Sequence, residues 1–155
     1  MSLRDNLDPG NHHSDIEIMT ALEKLQLWSH FLDTVSSSFH DDEGAGQVLA
    51  RPLSVFPPLS VGHSQLLSLT RALLHSSHHA SLNRKPMILL DEPAANLDAE
   101  FEDLCSKIIQ EEFTEKGFTV CMITHSVKDL RQRVRRGKDV VVRVRDGGVE
   151  VVEDV

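Results

Sequence analysis

The sequence has 155 residues, 40% of them hydrophobic and 26% charged, which predicts one soluble globular domain. A formal charge of −8 at pH 7 argues against a dedicated nucleic-acid binder, because phosphate binding normally requires a basic face. No apolar stretch approaches the roughly 20 residues of a membrane-spanning helix, and no signal-peptide core follows Met1. Cys105 and Cys121 lie among apolar residues without metal-ligand spacing, so we expect reduced cytosolic thiols in the core.

The first predicted helix begins at Ser14, because Ser14 and Glu17 have the spacing of a capping box. Its apolar stripe comprises Ile18, Met19, Leu22 and Leu25 and runs on toward Trp28 and Leu32. Residues 36–58 mix turn-forming residues with prolines and predict a long surface connection. Helical periodicity resumes at Ser64 and predicts a helix that ends near Leu74 or His75, followed by a polar loop over residues 75–84.

After Pro86 the sequence contains two short apolar runs separated by a helical pattern, which predicts a βαβ unit. Residues 87–90 form a short apolar run, typical of a strand buried on both faces, and the run stops at Asp91 and Glu92. Asp98 is a suitable cap for a helix that Gly117 would end. Residues 118–124 predict a second buried strand, parallel to the first, with a right-handed crossover.

The C-terminal part of the sequence predicts two further elements. A short helix is expected from Ser126. Residues 140–144 and 149–152 are rich in valine and flank Asp146-Gly147-Gly148, which predicts a β-hairpin.

Three segments have side chains suited to phosphate chemistry. Ser60 and Gly62 precede a helix, whose first turn offers free amides to an anion, although a simple serine cap explains them equally well. Asp91 and Glu92 lie at the carboxyl end of a predicted strand, where they are suited to hold magnesium and activate water, or are simply solvated acids. His125 ends the neighbouring strand and is therefore expected close to them.

In this order, these segments resemble the nucleotide-binding domain of ATP-binding-cassette (ABC) proteins. Residues 59–63 resemble the signature loop, residues 88–92 resemble Walker B with its catalytic glutamate, residues 95–98 resemble the D-loop, and His125 resembles the switch histidine. Residues 2–9 and 59–67 are also similar to the second nucleotide-binding domain of multidrug-resistance-type exporters of the C subfamily.

The resemblance implies an α/β fold that contains part of a RecA-like P-loop NTPase core. Parallel strands would form this core, with a helical signature subdomain over residues 1–84, the C-terminal part of the ATP-binding core over residues 85–155, and a terminal β-hairpin. ATP and Mg²⁺ are the implied cofactors. Asp91 would hold magnesium through water, Glu92 would activate the hydrolytic water, and His125 would contact the γ-phosphate.

The resemblance also implies partners. Two nucleotide-binding domains would form a sandwich around ATP, and transmembrane domains of the parent transporter would anchor it to a membrane with this domain on the cytosolic face. Asp98 would carry contact information between the two ATP sites. The residues that would reach the partner's ATP are Ser60, Val61, Gly62 and His63. His63 stands where the family usually has glutamine, and Ala95 stands where serine is common.

Two expected motifs are missing from the sequence. There is no Gly-x-x-x-x-Gly-Lys-Ser/Thr motif and no Q-loop glutamine ahead of Arg4. We therefore expect the chain to begin partway through a domain and to be inactive as an ATPase by itself, because the phosphate-binding loop is central to this chemistry.

Two alternative functions remain at the level of sequence. The chain would act as a non-catalytic regulator if it docked on another ABC ATPase domain and supplied only Ser60 and Gly62. A cassette ATPase of translation or chromosome maintenance is the third possibility, although the exporter-like segments favour transport. The adjacent pairs His12-His13 and His78-His79 do not predict a metal site, because adjacent residues seldom both ligate one ion.

Overall fold

The computed structural model describes residues 1–36, 45–95, 97–125, 134–135 and 137–152. It has mixed helix and strand structure, with a small parallel sheet and a separate antiparallel hairpin. The helices are α1 (Leu3–Leu7), α2 (Asp15–Lys24), α3 (Trp28–Ser36), α4 (Ala45–Ala50), a 3-10 helix (Leu53–Val55), α5 (Val61–Ser81), α6 (Ala99–Ile108) and a π-helical segment (Ile109–Thr114). The strands are β1 (Ile88–Asp91), β2 (Val120–Ile123), β3 (Val141–Arg145) and β4 (Gly148–Val152).

The hydrophobic core lies mainly between the helices that precede β1 and continues beneath α6. Helix α2 packs on α5, and α4 packs on α1 and α2. Side chains with no exposed surface include Leu3, Ile18, Leu22, Phe31, Val48, Leu49, Cys105 and Phe113. Because each buried Leu, Ile, Val or Phe contributes about 1.5–3 kcal/mol, this shared core is what holds the short helices in place.

Capping boxes define the first two helices. The Ser14 hydroxyl accepts from the Glu17 N–H, while the Glu17 carboxylate accepts from the Ser14 N–H at 2.7 Å, which confirms the predicted start of α2. Ser2 and Asp5 form the same arrangement at the start of α1, a helix that the sequence reading missed. Both serines satisfy amides that a helix start leaves without partners.

The expectation that the first predicted helix continues toward Trp28 and Leu32 was wrong. Helix α2 ends at Lys24, and Trp28 begins the separate helix α3. The chain turns between them, because Gln26 has a φ of +55°, outside the range of a right-handed helix.

The prediction of a surface connection over residues 36–58 was wrong for its second half. Helix α4 and the 3-10 helix lie within it, and Val48 and Leu49 are fully buried. The chain after α4 also bonds to the N-terminus, because the Leu3 N–H donates to the Arg51 carbonyl at 2.8 Å. Tertiary burial therefore fixes α4, which at six residues has less than two helical turns of its own.

Helix α5 is longer than predicted, because it continues through residues 75–81 instead of ending near Leu74 or His75. Serine hydroxyls in this extension bond to carbonyls of the same helix, as in Ser76 to Leu73 at 2.9 Å. The ring of His78 stacks on His12, with centroids 3.8 Å apart. The ring stack ties this extension to the N-terminal segment and offsets the weak helix propensity of serine and histidine.

The predicted βαβ unit is confirmed in its order and strand direction. Strands β1 and β2 are parallel, with Ile88 opposite Val120 and Asp91 opposite Ile123. Asp98 caps α6 by accepting from the Phe101 N–H at 3.0 Å. The helical path continues as the π-helical segment, and Gly117 then turns the chain with a φ of +75°.

The expectation that both strands are buried on both faces was wrong. Leu90 is buried, whereas Leu89 is 67% exposed and Ile123 is 51% exposed. Cys121 is likewise exposed, so only Cys105 is a core thiol as predicted. The physical reason is that side chains alternate between the two faces of a strand, and among the described residues this pair is covered on one face only.

The C-terminal strands form the predicted hairpin. Val141 pairs with Val152 and Arg145 pairs with Gly148. Asp146 and Gly147 connect the strands with φ values of +47° and +75°, as a tight hairpin turn requires. The helix predicted from Ser126 lies outside the described residues. None of the described helices is long and apolar enough to cross a membrane.

Glu112 links the C-terminal half to the N-terminal helices. Its buried carboxylate accepts hydrogen bonds from Lys24 of α2 and from Lys116. Burial raises the pKa of Glu112, but the hydrogen bonds from Lys116 and Lys24 outweigh burial and hold this pKa below its ordinary value. The ionised carboxylate therefore stabilises the fold at neutral pH.

We expect Glu112→Gln to lower the free energy of unfolding by about 1–3 kcal/mol at pH 7. A carboxyl whose pKa is lowered in the folded state stabilises the protein above its unfolded-state pKa, and this contribution is lost as the pH falls through the folded-state pKa. The difference between variant and wild type should therefore shrink as the pH falls below about 4.3. Urea denaturation across this range measures it. Glu111→Gln, on the exposed side of the same segment, serves as the control and should change stability little. A constant difference down to pH 3 would contradict this expectation.

Candidate functional site

The first group of candidate residues lies where the two parallel strands end. The Glu92 N–H donates to the Ile123 carbonyl at 2.9 Å, one residue beyond the Asp91–Ile123 pair. Because both strands run in the same direction, the residues that follow them emerge at the same edge of the sheet. This arrangement brings Glu92 and His125 together, as the order of the strands predicted.

Glu92 and His125 are in direct contact. The His125 Nε2 atom lies 3.0 Å from the Glu92 Oε1 atom, and the two side chains are 87% and 42% exposed, respectively. Glu92 has a φ of +44°, in the left-handed region that residues with a side chain rarely adopt. A strained backbone conformation persists only where the surrounding structure holds it in place. Residues of this kind are concentrated at functional sites.

The chain turns sharply after Glu92. The Ala95 N–H donates to the Glu92 carbonyl at 3.0 Å, and the Leu97 N–H donates to the Ala94 carbonyl at 3.3 Å. The Cys105 thiol of α6 bonds to the Pro93 carbonyl at 3.4 Å and ties this turn to the helix. Asp98 then begins α6, while Asn96 of the predicted D-loop lies outside the described residues.

The second group of candidate residues lies at the start of α5. The Ser60 hydroxyl accepts from the His63 N–H at 3.1 Å and caps the helix. A serine hydroxyl can still donate its own hydrogen while it accepts. Ser60 and Val61 are exposed, so this helix start, with its free amides and positive dipole end, faces solvent.

His63 connects the start of α5 to the start of α6. Its ring centroid lies 4.7 Å from that of His30 in α3 and 6.1 Å from that of Phe101 in the first turn of α6. His63 belongs to the predicted signature segment, and Phe101 lies shortly after the predicted D-loop. Their ring contact therefore joins the two segments. Sequence reasoning missed His30 and Phe101, because no local pattern links residues so far apart in the chain.

The donors present suit part of a magnesium-nucleotide complex. Asp91 is exposed at the sheet edge and offers the carboxylate oxygens that Mg²⁺ prefers. The start of α5 offers backbone amides of the kind that bind phosphate. The lysine and hydroxyl of a phosphate-binding loop have no counterpart in the sequence. The residues therefore fit the metal and one face of a phosphate group, but not a complete nucleotide cradle.

Comparison with known proteins finds similar sequences in several organisms. No protein-family model matches the chain. ATP-binding cassette sub-family C member 2 from Homo sapiens is 38% identical over 129 residues, which cover 83% of this chain and 7% of that protein. ABC transporter C family member 5 from Arabidopsis thaliana is 35% identical over 149 residues, or 96% of this chain and 8% of that protein. Bile pigment transporter 1 from Saccharomyces cerevisiae is 31% identical over 133 residues, or 81% and 8%.

The strand-end acids, the contact between Glu92 and His125, and these similarities identify the chain as part of an ABC domain. More particularly, the chain belongs to the C subfamily of ABC transporters. It spans only 7–8% of the length of these three relatives.

Proposed function

We propose that this chain forms part of a nucleotide-binding domain that binds and hydrolyses ATP to drive transport across a membrane. The observation that carries the proposal is the 3.0 Å contact between Glu92 and His125, directly after Asp91 at the carboxyl edge of a parallel strand pair. A metal-binding acid, a base and a histidine within reach of phosphate are groups suited to triphosphate hydrolysis at such an edge.

Asp91 and Glu92 would divide the work at the strand ends. ATP with Mg²⁺, when bound, supplies the phosphoryl group and the free energy of its hydrolysis. Asp91 would hold the magnesium ion through a water molecule, since its carboxylate is exposed at the edge. Glu92 would orient the attacking water and accept its proton, because its half-exposed carboxylate is accessible to water while His125 fixes its direction.

His125 would have two roles that compete for the same nitrogen. In this structure Nε2 is directed at Glu92, so the imidazole positions the proposed base. A contact between Nε2 and a γ-phosphate would require the ring to turn away from Glu92. The proposal therefore includes a small rotation of His125 between a state that positions Glu92 and a state that contacts phosphate.

The start of α5 would serve a different ATP molecule, bound by a second nucleotide-binding domain. Ser60 would donate its hydroxyl hydrogen to phosphate while its oxygen keeps the cap on His63. Val61 and Gly62 would contribute backbone N–H groups and the positive end of the helix dipole. The His63–Phe101 contact would couple this helix start to Asp98, the residue proposed to communicate between the two ATP sites.

The remaining features of the proposal concern the whole protein. Residues 1–84 would form the helical signature subdomain and residues 85–155 the C-terminal part of a RecA-like ATP-binding core. Transmembrane domains of the parent transporter would be further partners, with this domain on the cytosolic face of the membrane. Relatives that are named transporters support this proposal over a role in translation or chromosome maintenance.

A second candidate is a non-catalytic regulator that docks on another ABC ATPase domain. The exposed apolar face of the strand pair, which includes Met87, Leu89 and Ile123, favours this possibility, because such a face is normally covered. The regulator would contribute Ser60 and Gly62 to the partner's ATP site, but Glu92 would have no catalytic role.

We expect the chain to associate with a phosphate-loop-bearing cassette domain only when ATP and Mg²⁺ are present, and Gly62→Asp to weaken this association at least about tenfold. An aspartate in the first turn is compatible with the helix but repels phosphate. Gly62→Asn is the matched neutral control. Analytical ultracentrifugation with a slowly hydrolysed ATP analogue measures the complex, and the chain alone should show no magnesium-dependent turnover. Association that is independent of nucleotide, or insensitive to the aspartate, would contradict both proposed functions.

A further inference from the structure

Two histidines of α5 point their Nε2 atoms at each other. His75 and His79 are four residues apart on the helix, and these two atoms lie 3.2 Å apart, with the ring centroids at 4.4 Å. Side chains at this spacing lie on the same face, one turn apart. Both rings belong to the extension of α5 that the sequence did not predict, and neither takes part in the proposed ATP chemistry.

The separation of the two nitrogen atoms matches the separation of two ligands of one metal ion. Imidazole nitrogens bind zinc at about 2.0–2.1 Å, so two of them in tetrahedral geometry are about 3.4 Å apart. Histidines four residues apart on a helix are a recurrent way to supply two such ligands. In this structure the two nitrogens share a hydrogen bond, which requires a proton on one of them. A metal ion would replace that bond when both rings carry their proton on Nδ1.

A ring contact next to the pair ties this part of α5 to the N-terminal segment. The ring of His12 stacks on His78, with centroids 3.8 Å apart and an interplanar angle of 8°. His75 is exposed, so an ion has direct access from solvent.

We propose that His75 and His79 form a surface site for a divalent transition-metal ion of the kind that imidazole prefers, such as Zn²⁺, Ni²⁺ or Cu²⁺. No group of three or more His, Cys, Asp or Glu side chains that could hold an ion occurs among the described residues. The site is therefore bidentate, with solvent ligands completing the coordination, and its affinity is moderate. His75 and His79 lie about 22 and 28 Å along α5 from Ser60, so the site is independent of the proposed nucleotide contacts.

Calorimetric titration of the tag-free 155-residue chain with ZnCl₂, in a buffer that does not bind metal, tests the proposal. We expect saturable binding of one ion per chain. His75→Gln and His79→Gln should each lower the affinity by more than about tenfold, because one of two ligands is lost. Glutamine keeps the helix propensity, and circular dichroism checks the fold of each variant.

The matched control is His12→Gln, which removes an imidazole that stacks on His78 and not on either member of the pair. Once circular dichroism has confirmed that its helix content is unchanged, its affinity should equal that of the wild type. Binding that does not saturate at millimolar Zn²⁺ would overturn the proposal. So would binding that persists when His75 and His79 are both replaced, or that is lost equally with His12→Gln in a variant of unchanged helix content. Broadening of the His75 and His79 NMR signals by Ni²⁺, before those of the other histidines, is the expected second readout.

Discussion

Replacing Phe31 with alanine is expected to lower the free energy of unfolding by about 3–5 kcal/mol. The Phe31 ring has no exposed surface and meets Phe56 edge-to-face, with centroids 5.0 Å apart and an interplanar angle of 80°. It joins α3 to the segment after α4, so its loss leaves a cavity and an edge-to-face contact unmade. The midpoint of urea denaturation, with the slope held constant, measures the change.

Two further variants keep this prediction interpretable. Phe31→Leu fills most of the cavity and should cost clearly less than Phe31→Ala, so it gives a measurable value if the alanine variant does not fold. Leu32→Ala changes the next residue of the same helix, which is 37% exposed, and should also cost less. Equal effects of Phe31→Ala and Leu32→Ala would show that the ring does not stabilise the core as its burial indicates.

The elements that the sequence predicted correctly are those fixed by local rules. The start of α2 follows from the Ser14–Glu17 capping box, and the start of α6 follows from the Asp98 cap. The hairpin follows from Asp146-Gly147, two residues that accept positive φ. Ser2 and Asp5 have the same kind of capping signal, so the start of α1 also follows from a local rule.

The elements that the sequence did not predict depend on distant contacts. Helix α4 exists because Val48 and Leu49 are buried against other helices, not because six residues favour a helix. The end of α5 depends on the His12–His78 stack, which joins residues far apart in the chain. Hydrophobicity alone also placed Leu89 in a buried strand, although burial depends on what covers each face.

The candidate site likewise combines a contact that the sequence predicts with contacts that depend on distant packing. That Glu92 and His125 meet was predictable, because parallel strands end at one edge. The ring contacts of His63 with His30 and Phe101 were not predictable, since they arise from packing between three helices. The structure thus adds a physical connection between two motifs that the sequence showed only as separate segments.

In a full-length transporter that carries this segment, we expect Glu92→Gln to lower ATP hydrolysis by about 10²–10³-fold. Glutamine has nearly the same shape as glutamate and can still accept a hydrogen bond from His125, but it cannot take a proton from water. ATP binding should therefore change by less than about threefold, because binding does not require the base. Single-turnover hydrolysis and equilibrium binding of ATP measure the two effects separately.

The size of this loss tests whether Glu92 is the catalytic base. If it is, the loss corresponds to about 3–4 kcal/mol of transition-state stabilisation, and Glu100→Gln, at an exposed position in the first turn of α6, should leave hydrolysis unchanged. If Glu92 has no catalytic role, Glu92→Gln should have no more effect than this control. Hydrolysis within fivefold of the wild type would exclude Glu92 as the base, and the contact with His125 would then have a purely structural role.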